Sequence, residues 1–185
     1  EIDRVVPVIE GLAKDSDVLI SVDTSKPEVM EAAINAGASM VNDVNALQAE
    51  GAVELCARYK VPVCLMHMQG SPKDMQNAPG YDDIITDIAG FLAQRVKACN
   101  DAGIANDRIL LDPGFGFGKT LEHNLELLSR LDELQALKLP LLIGVSRKRM
   151  IGTITGRSEK DRIPGSIAAA VIGVMNGARL VRTHD

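Results

Sequence analysis

The sequence predicts an α/β fold on a parallel sheet, and within that class a (β/α)8 TIM barrel of which about six β/α units, the third to the eighth strands, are present. Three observations predict it. Six short apolar runs recur along the 185 residues, most of them rich in β-branched residues or Leu, as strands covered on both faces require. Helix-like segments alternate with these runs over short connections, the pattern of an α/β protein. Each run also ends on polar residues that a core would not choose, and in a closed parallel barrel all such ends open into one mouth.

The chain opens EIDRVVPVIEGLAKD, with Ile2, Val5, Val6 and Ile9 at helical spacing, so an amphipathic helix is expected from the start. With no initiator Met, the expectation is one domain over 1–185 that lacks the first two β/α units of its barrel and also the final helix. The first strand is read in VLISVD (Val18–Asp23). Ser25 and Glu28 have the spacing of a capping box, with Pro27 in the first turn, and Gly37 closes that helix as a left-handed cap. MVNDV (Met40–Val44) and VPVCLMHM (Val61–Met68) are the next strands. A helix over about 82–102 carries Ile84, Ile88, Phe91, Leu92, Val96 and Cys99 on one face and ends at Gly103. ILLDPGFG (Ile109–Gly116) follows as a strand, then a helix bearing Leu121, Leu125, Leu128, Leu131 and Leu134. LPLLIGVS (Leu139–Ser146) and RLVRTHD (Arg179–Asp185) are the last strands, separated by a helix from about Ser166 to Asn176 that ends at Gly177. Two segments, Gln69–Gly80 and Gly152–Gly165, are longer than the pattern needs; both follow strands, where such proteins place binding and catalysis.

Composition narrows the function. A net charge of −5, a pI near 5.2 and no long basic cluster exclude a general nucleic-acid partner. No apolar run is long enough to span a bilayer, and no signal peptide is seen. The three cysteines, Cys56, Cys64 and Cys99, are widely spaced with no CxxC, which reads as free buried thiols in a reducing, cytoplasmic compartment.

LLDPGFGFGKT (Leu110–Thr120) looks at first like a phosphate-binding loop. The required G-x-x-x-x-G-K-[ST] spacing puts Pro113 where the first Gly belongs, and Pro has no N–H to give a phosphate. The strand ends offer a different chemistry: Asp23, Asn42-Asp43, His67, Asp112, Ser146-Arg147-Lys148, and Arg182-Thr183-His184-Asp185. Asp23, Asn42 and Asp112 can hold a flat, donor-rich heterocycle by paired hydrogen bonds. Arg147, Lys148 and Arg182 are cationic donors, and Arg182 can lie against a ring or fork onto phosphate. The site reads as planar heterocycle plus anionic group. His67 is expected as a packed core residue, His123 as a surface one, and Met66 and Met68 as core. Asp43 is expected to pair with a cation, Lys119 to be a solvated helix-start residue, and Gly156–Arg162 a solvated loop.

SVDTSKPEV, NDV, CLMHMQG, LLDPGFGFGK, GVSRKRMIG and RTHD, in this order, resemble the motifs of the dihydropteroate synthases of folate biosynthesis over essentially the whole chain. The resemblance implies condensation of 6-hydroxymethyl-7,8-dihydropterin pyrophosphate with p-aminobenzoate, giving 7,8-dihydropteroate and pyrophosphate. It implies pterin binding by Asp23, Asn42, Asp112, Lys148 and Arg182, pyrophosphate binding by Arg182 and His184, and p-aminobenzoate binding by Phe117, Ser146 and Arg147. Lys148, Arg182 and His184 carry the catalytic role. Mg2+ is expected as cofactor, with its Asn ligand in the family's first strand, which this chain does not include, nor does it include the family's Ser-Thr-Arg-Pro loop. A homodimer and sulfonamide sensitivity are implied too, the former also because SIAAAVIGVMN (Ser166–Asn176) is apolar on nearly all faces. Two other readings stand beside this one: a pterin-binding methyltransferase domain, and a non-catalytic pterin-binding module.

Overall fold

The computed structural model describes residues 1–70, 75 and 77–185. Of the long segment read at Gln69–Gly80, positions 71–74 and 76 therefore lie outside the described residues. The chain divides into two compact units, one made of 1–66 and 94–110, the other of 67–93 and 111–185.

The first unit alternates helix and strand as expected: α1 (Ile2–Asp15), β1 (Ser21–Asp23), α2 (Pro27–Asn35), β2 (Met40–Asp43), α3 (Ala52–Tyr59) and β3 (Val63–Met66). The end of α4 (Ile84–Asp101) and the start of β4 (Ile109–Asp112) complete it. β1 pairs parallel with β2, and β2 with β3, which sets Asp23 opposite Asn42 and Asn42 opposite Cys64. Met30, Val41, Val63 and Leu65 are fully buried between these layers. β1 is shorter than VLISVD: Val18 and Leu19 stay exposed, Leu19 at 89%.

Two expectations fail beside β2, for one reason. The first turn of α2 is capped by Lys26 without a side-chain bond, and Ser25 instead gives its hydroxyl to Asp43. Asp43 has no cation among its described partners; its carboxylate accepts that hydroxyl and the N–H groups of Asn45 (2.8 Å) and Leu47 (2.8 Å). A fully buried carboxylate needs donors more than an open helix turn needs an acceptor. Arg95 completes the turn by donating to the carbonyls of Ala46 (2.8 Å) and Leu47 (2.9 Å), both held at positive φ (50° and 56°).

The second unit holds the rest of β4, then α5 (Leu121–Ser129), β5 (Leu141–Ile143), α6 (Arg149–Thr155), α7 (Ile163–Met175) and β6 (Ala178–Val181). β4 pairs parallel with β5, and β5 with β6 across a register shift at Leu141/Leu142. The Leu row of α5 breaks at Arg130 into a 3-10 turn over Leu131–Leu137. Leu128, Leu131 and Leu134 are buried, but Leu125 is 41% exposed. The segment read as a long loop from Gly152 is largely helical, since α6 runs to Thr155, Gly156 caps it at φ 68°, and α7 begins at Ile163. Gly152 disguised α6 in the sequence, and its place there has a packing cause. The Arg162 guanidinium lies where a Gly152 side chain would be. The expected helix-ending glycines, Gly37, Gly103 and Gly177, all have positive φ (117°, 94° and 99°). The three cysteines are buried, with no disulfide among the described residues, and burial pushes Cys56 up to about 12.

Candidate active site

In the first unit, Asp23 ends β1 and pairs in direct register with Asn42, the last residue but one of β2. Parallel pairing brings both side chains to the same sheet edge, and Asn42 Nδ2 donates to Asp23 Oδ2 at 2.8 Å. The Asn42 amide is buried, with its carbonyl oxygen left to accept from another donor.

In the second unit the site is built around Asp112, the last residue of β4, which is 2% exposed. The N–H of His67 donates to its backbone carbonyl (2.9 Å), and its Oδ1 accepts from the N–H of Gly114 (2.7 Å). Burial pushes the carboxyl up from its ordinary value, while the Gly114 N–H and the charges of Arg182, Lys148 and Lys119 oppose that shift. Asp112 is thus buried with a carboxyl that gives up its proton less readily than an exposed one.

The residues after Asp112 form a turn in which Phe117 N–H bonds Gly114 carbonyl (3.1 Å). Phe115 points into the core and Phe117 is half-buried. The amide of Gly114 is committed to Asp112 and that of Gly116 to Asn124 Oδ1 (2.7 Å). Those two amides cannot line a phosphate cradle, which agrees with rejecting that reading. Tyr81 donates its hydroxyl to the Gly118 carbonyl at 2.7 Å.

Lys119 is not a solvated residue. It is 3% exposed, and its Nζ donates inward to the carbonyls of Gly114 (2.9 Å) and Phe117 (3.1 Å), with His67 Nδ1 at 3.1 Å. The glycine loop leaves carbonyls facing inward, and the lysine at its end is the donor that satisfies them. Burial pulls the ammonium down to about 7, with Asp112 holding it up and Lys148 pushing it further down. His67 is the packed residue expected, edge-on to Phe91 at 5.1 Å, and burial beside Lys119 lowers it to about 3, so it is a neutral acceptor. His123 is no plain surface residue: with Thr120 it forms a reciprocal capping box at the start of α5, and its ring meets Tyr81 edge-on at 4.9 Å. Sequence reading missed Lys119, Tyr81 and Asn124. The only signal for them was the run of glycines itself, whose backbone groups need partners from elsewhere.

Lys148 Nζ sits 4.3 Å over the Phe117 ring, and burial together with Arg182 lowers it while Asp112 raises it, for a net downward shift. Ser146, buried three residues beyond β5, accepts from the His184 N–H (3.2 Å) and lies 3.0 Å from its Nδ1. Gly144, Ser146, Lys148, Arg182, Thr183 and His184 line one cavity of about 360 Å3. Arg147, at φ 54°, pairs its guanidinium with Asp185, with Nε at 3.0 Å. Among the described residues no group of three His, Cys, Asp or Glu side chains is placed to hold a metal ion. These residues do not by themselves form a magnesium site.

The second unit thus holds a buried carboxylate at Asp112, a cavity lined by Lys148, Arg182 and His184, and the Phe117 ring under Lys148. The first unit holds the Asp23–Asn42 pair. The pterin binding enzyme profile matches residues 1–184. The chain is 50% identical to the dihydropteroate synthase of Escherichia coli strain K12 over 185 residues, all of this chain and 66% of that protein. With the Haemophilus influenzae dihydropteroate synthase the identity is 44%, over all of this chain and 67% of that protein. The chain thus spans about two thirds of the length of these curated relatives. A Yersinia pestis dihydropteroate synthase in complex with a sulfonamide drug superposes with a TM-score of 0.97 at 52% identity, covering all of this chain and 67% of that one. A Xanthomonas albilineans dihydropteroate synthase in complex with 7,8-dihydropteroate gives 0.94 at 48%, covering all of this chain and 68% of that one. The fold class is that of the (β/α)8 barrel, with six β/α units in this chain. With its profile matched from the first residue to the last but one, the chain belongs to the pterin binding enzyme family.

Proposed function

We propose that the protein is a dihydropteroate synthase, a transferase that joins 6-hydroxymethyl-7,8-dihydropterin pyrophosphate to p-aminobenzoate. The observation that carries this reading is the buried Asp112 carboxylate in a unit whose neighbouring cavity is lined by Lys148, Arg182 and His184. Asp112 keeps Oδ2 for the 2-amino group and N3–H of a pterin. Asp23 and Asn42 hold further pterin edges, and Arg182 lies along the ring and reaches the pyrophosphate.

The C–O bond between the pterin methylene and pyrophosphate breaks, and the C–N bond to the aniline nitrogen forms. The leaving pyrophosphate takes the electron pair, and the new ammonium sheds one proton. Arg182 and His184 neutralise the charge that develops on the leaving group. Lys148 holds the pterin, and Phe117, Ser146 and Arg147 orient the amine. An aniline nitrogen is already a nucleophile, so positioning supplies much of the rate and no strong base is needed.

The cytoplasm is the proposed location. No helix among the described residues is long and apolar enough to cross a membrane, and buried cysteines with no disulfide among the described residues suit a reducing compartment. A single domain over 1–185 and a homodimer are also proposed. In support of the dimer, α7 leaves Ile167, Val171, Val174 and Met175 exposed, Met175 at 80%. Mg2+ enters the proposal only as a counter-ion carried by the pyrophosphate. Sulfonamides, as p-aminobenzoate analogues, are expected to compete for the Phe117 side.

Release of pyrophosphate on mixing the pterin pyrophosphate with p-aminobenzoate tests the reading. Tight pterin binding with no pyrophosphate released would leave a binding module in place of an enzyme.

A further inference from the structure

Lys119 is a buried cation that none of the chemistry above employs. An ammonium has three protons, and Nζ has three acceptors within reach: Gly114 carbonyl at 2.9 Å, Phe117 carbonyl at 3.1 Å and His67 Nδ1 at 3.1 Å. Two of them are the first and last residues of a single turn, already closed by the Phe117 N–H to Gly114 carbonyl bond. One end of that turn is spaced from Asp112 by the Gly114 N–H to Oδ1 bond, and the other carries the Phe117 ring. The third acceptor, His67, is itself tied to β4 through its N–H to the Asp112 carbonyl. The face of Tyr81 closes the site 5.8 Å from Nζ.

We propose that Lys119 is the positioning residue of this site: its ammonium, bound to the Gly114 and Phe117 carbonyls and His67, holds Asp112 and Phe117 in the geometry that accepts the pterin and the aromatic amine. The proposal rests on the reading of the second unit as a pterin site.

The arrangement works only with all three protons on Nζ and none on His67 Nδ1. A neutral His67 fits this, since burial and the neighbouring charge hold its imidazole at about 3. When Nζ loses a proton, one of the three acceptors loses its donor. The charged groups facing Nζ are Asp112, which favours the ammonium, and Lys148, which opposes it; burial takes it down to about 7. The grip on the turn is therefore full at mildly acidic pH and weakens as pH rises above neutrality. A lysine that merely filled space would show no such dependence.

The test is calorimetric affinity for 6-hydroxymethylpterin from pH 6 to 9 for the wild-type protein and Lys119→Met, with circular dichroism to check the fold. Pterin ionisation affects both proteins alike and cancels in the ratio of their affinities. The expected result is a variant at least tenfold weaker at pH 6, with the gap closing as pH rises. Equal affinities, or a ratio constant with pH, would overturn the proposal. Wild-type protein that binds no pterin at any pH would sink the site reading, and this proposal with it. If Lys119→Met does not fold, 15N-lysine NMR of the wild type decides. An ammonium protected from solvent exchange, titrating below the ordinary lysine range and shifting when 6-hydroxymethylpterin is added, is expected. One that exchanges like a surface lysine, or ignores the ligand, overturns the proposal.

Discussion

Lys148 Nζ lies 4.3 Å from the centroid of the Phe117 ring, so the residue assigned to the pterin and the residue assigned to the aromatic amine touch each other. The ammonium over the ring adds a cation–π attraction of about 0.5–2 kcal/mol. The charge of Asp112 favours the same ammonium, against burial and Arg182.

The two positions should still separate by ligand. Phe117→Leu keeps an apolar wall but removes the flat ring, so the KM for p-aminobenzoate and the affinity of sulfonamides should worsen several-fold. Pterin affinity should change less, by the lost hold on Lys148 alone. Lys148→Ala removes the cation itself and should weaken pterin binding most. Measuring both ligands on both variants checks this, and equal losses of both ligands in both proteins would refute the division.

Gly118→Ala should damage the loop. Gly118 sits at φ 65°, where a side chain is strained, and an added Cβ would lie inside van der Waals contact of the Gln69 carbonyl and 2.9 Å from Gln69 Cβ. Gln69 has little room to yield, because its side-chain amide bonds Gly80 through both the carbonyl (2.6 Å) and the N–H (2.9 Å). Strain and clash together should cost about 2 kcal/mol or more, lowering Tm by roughly 4–8 °C for a chain of this size. An unchanged melting temperature would show that the loop relaxes freely.

How far the sequence disclosed this site depends on which side of the loop one considers. Strand ends are legible because an acid or amide after an apolar run has no core role, and that logic singled out Asp23 and Asn42 in the first unit and Asp112, Ser146 and Arg182 in the second as candidates. It also gave the parallel helix–strand alternation, since period and punctuation are local. Lys119 was illegible because lysine between Gly118 and Thr120 has the local character of a surface helix start. Its burial comes from His67 and Tyr81, which are 52 and 38 residues away in the sequence. Ser25 misled for the converse reason: its spacing to Glu28 is right for a cap, but Asp43 competes for its hydroxyl from a neighbouring strand. Arg147 was read beside the site from its neighbours in SRK, and only the structure shows it paired with Asp185.

Stability should rise with pH on account of Lys119. Its folded value, about 7, lies below the ordinary lysine value of about 10.4. Between the two, the unfolded chain binds the extra proton, so stability increases with pH across that window. The cost of the buried ammonium is full below about pH 7 and gone above the unfolded value. In Lys119→Met this rise should be absent. Denaturant unfolding of both proteins at pH 7 and pH 9.5 measures it, and parallel curves would place the ammonium in solvent. Ligand grip and stability then pull in opposite directions on one side chain, a trade expected where a site keeps a buried charge for function.

Asp112→Asn is the sharpest test of the site. The substitution keeps the shape of the side chain but puts an amide donor where an acceptor stands. If that amide carbonyl keeps the Gly114 N–H (2.7 Å in the present structure), the NH2 group faces the pterin, donor against donor. Losing a charge-assisted bond and leaving a pterin N–H unpaired should cost roughly 2–4 kcal/mol, a thirtyfold to thousandfold loss of affinity on the order of RT ln K. The fold should survive, because burial already pushes this carboxyl up and an uncharged amide escapes that penalty. The pH dependence should change as well. In the wild type, affinity should fall on acidification as the carboxylate takes up a proton, and should do so above the pH at which an exposed aspartate would. Asp112→Asn should lack that limb. Calorimetric titration with 6-hydroxymethylpterin across pH 4.5–7.5 reads both effects. Wild-type affinity in the variant would make Asp112 a turn residue, bonded to Gly114 for the sake of the loop, and would place the heterocycle elsewhere.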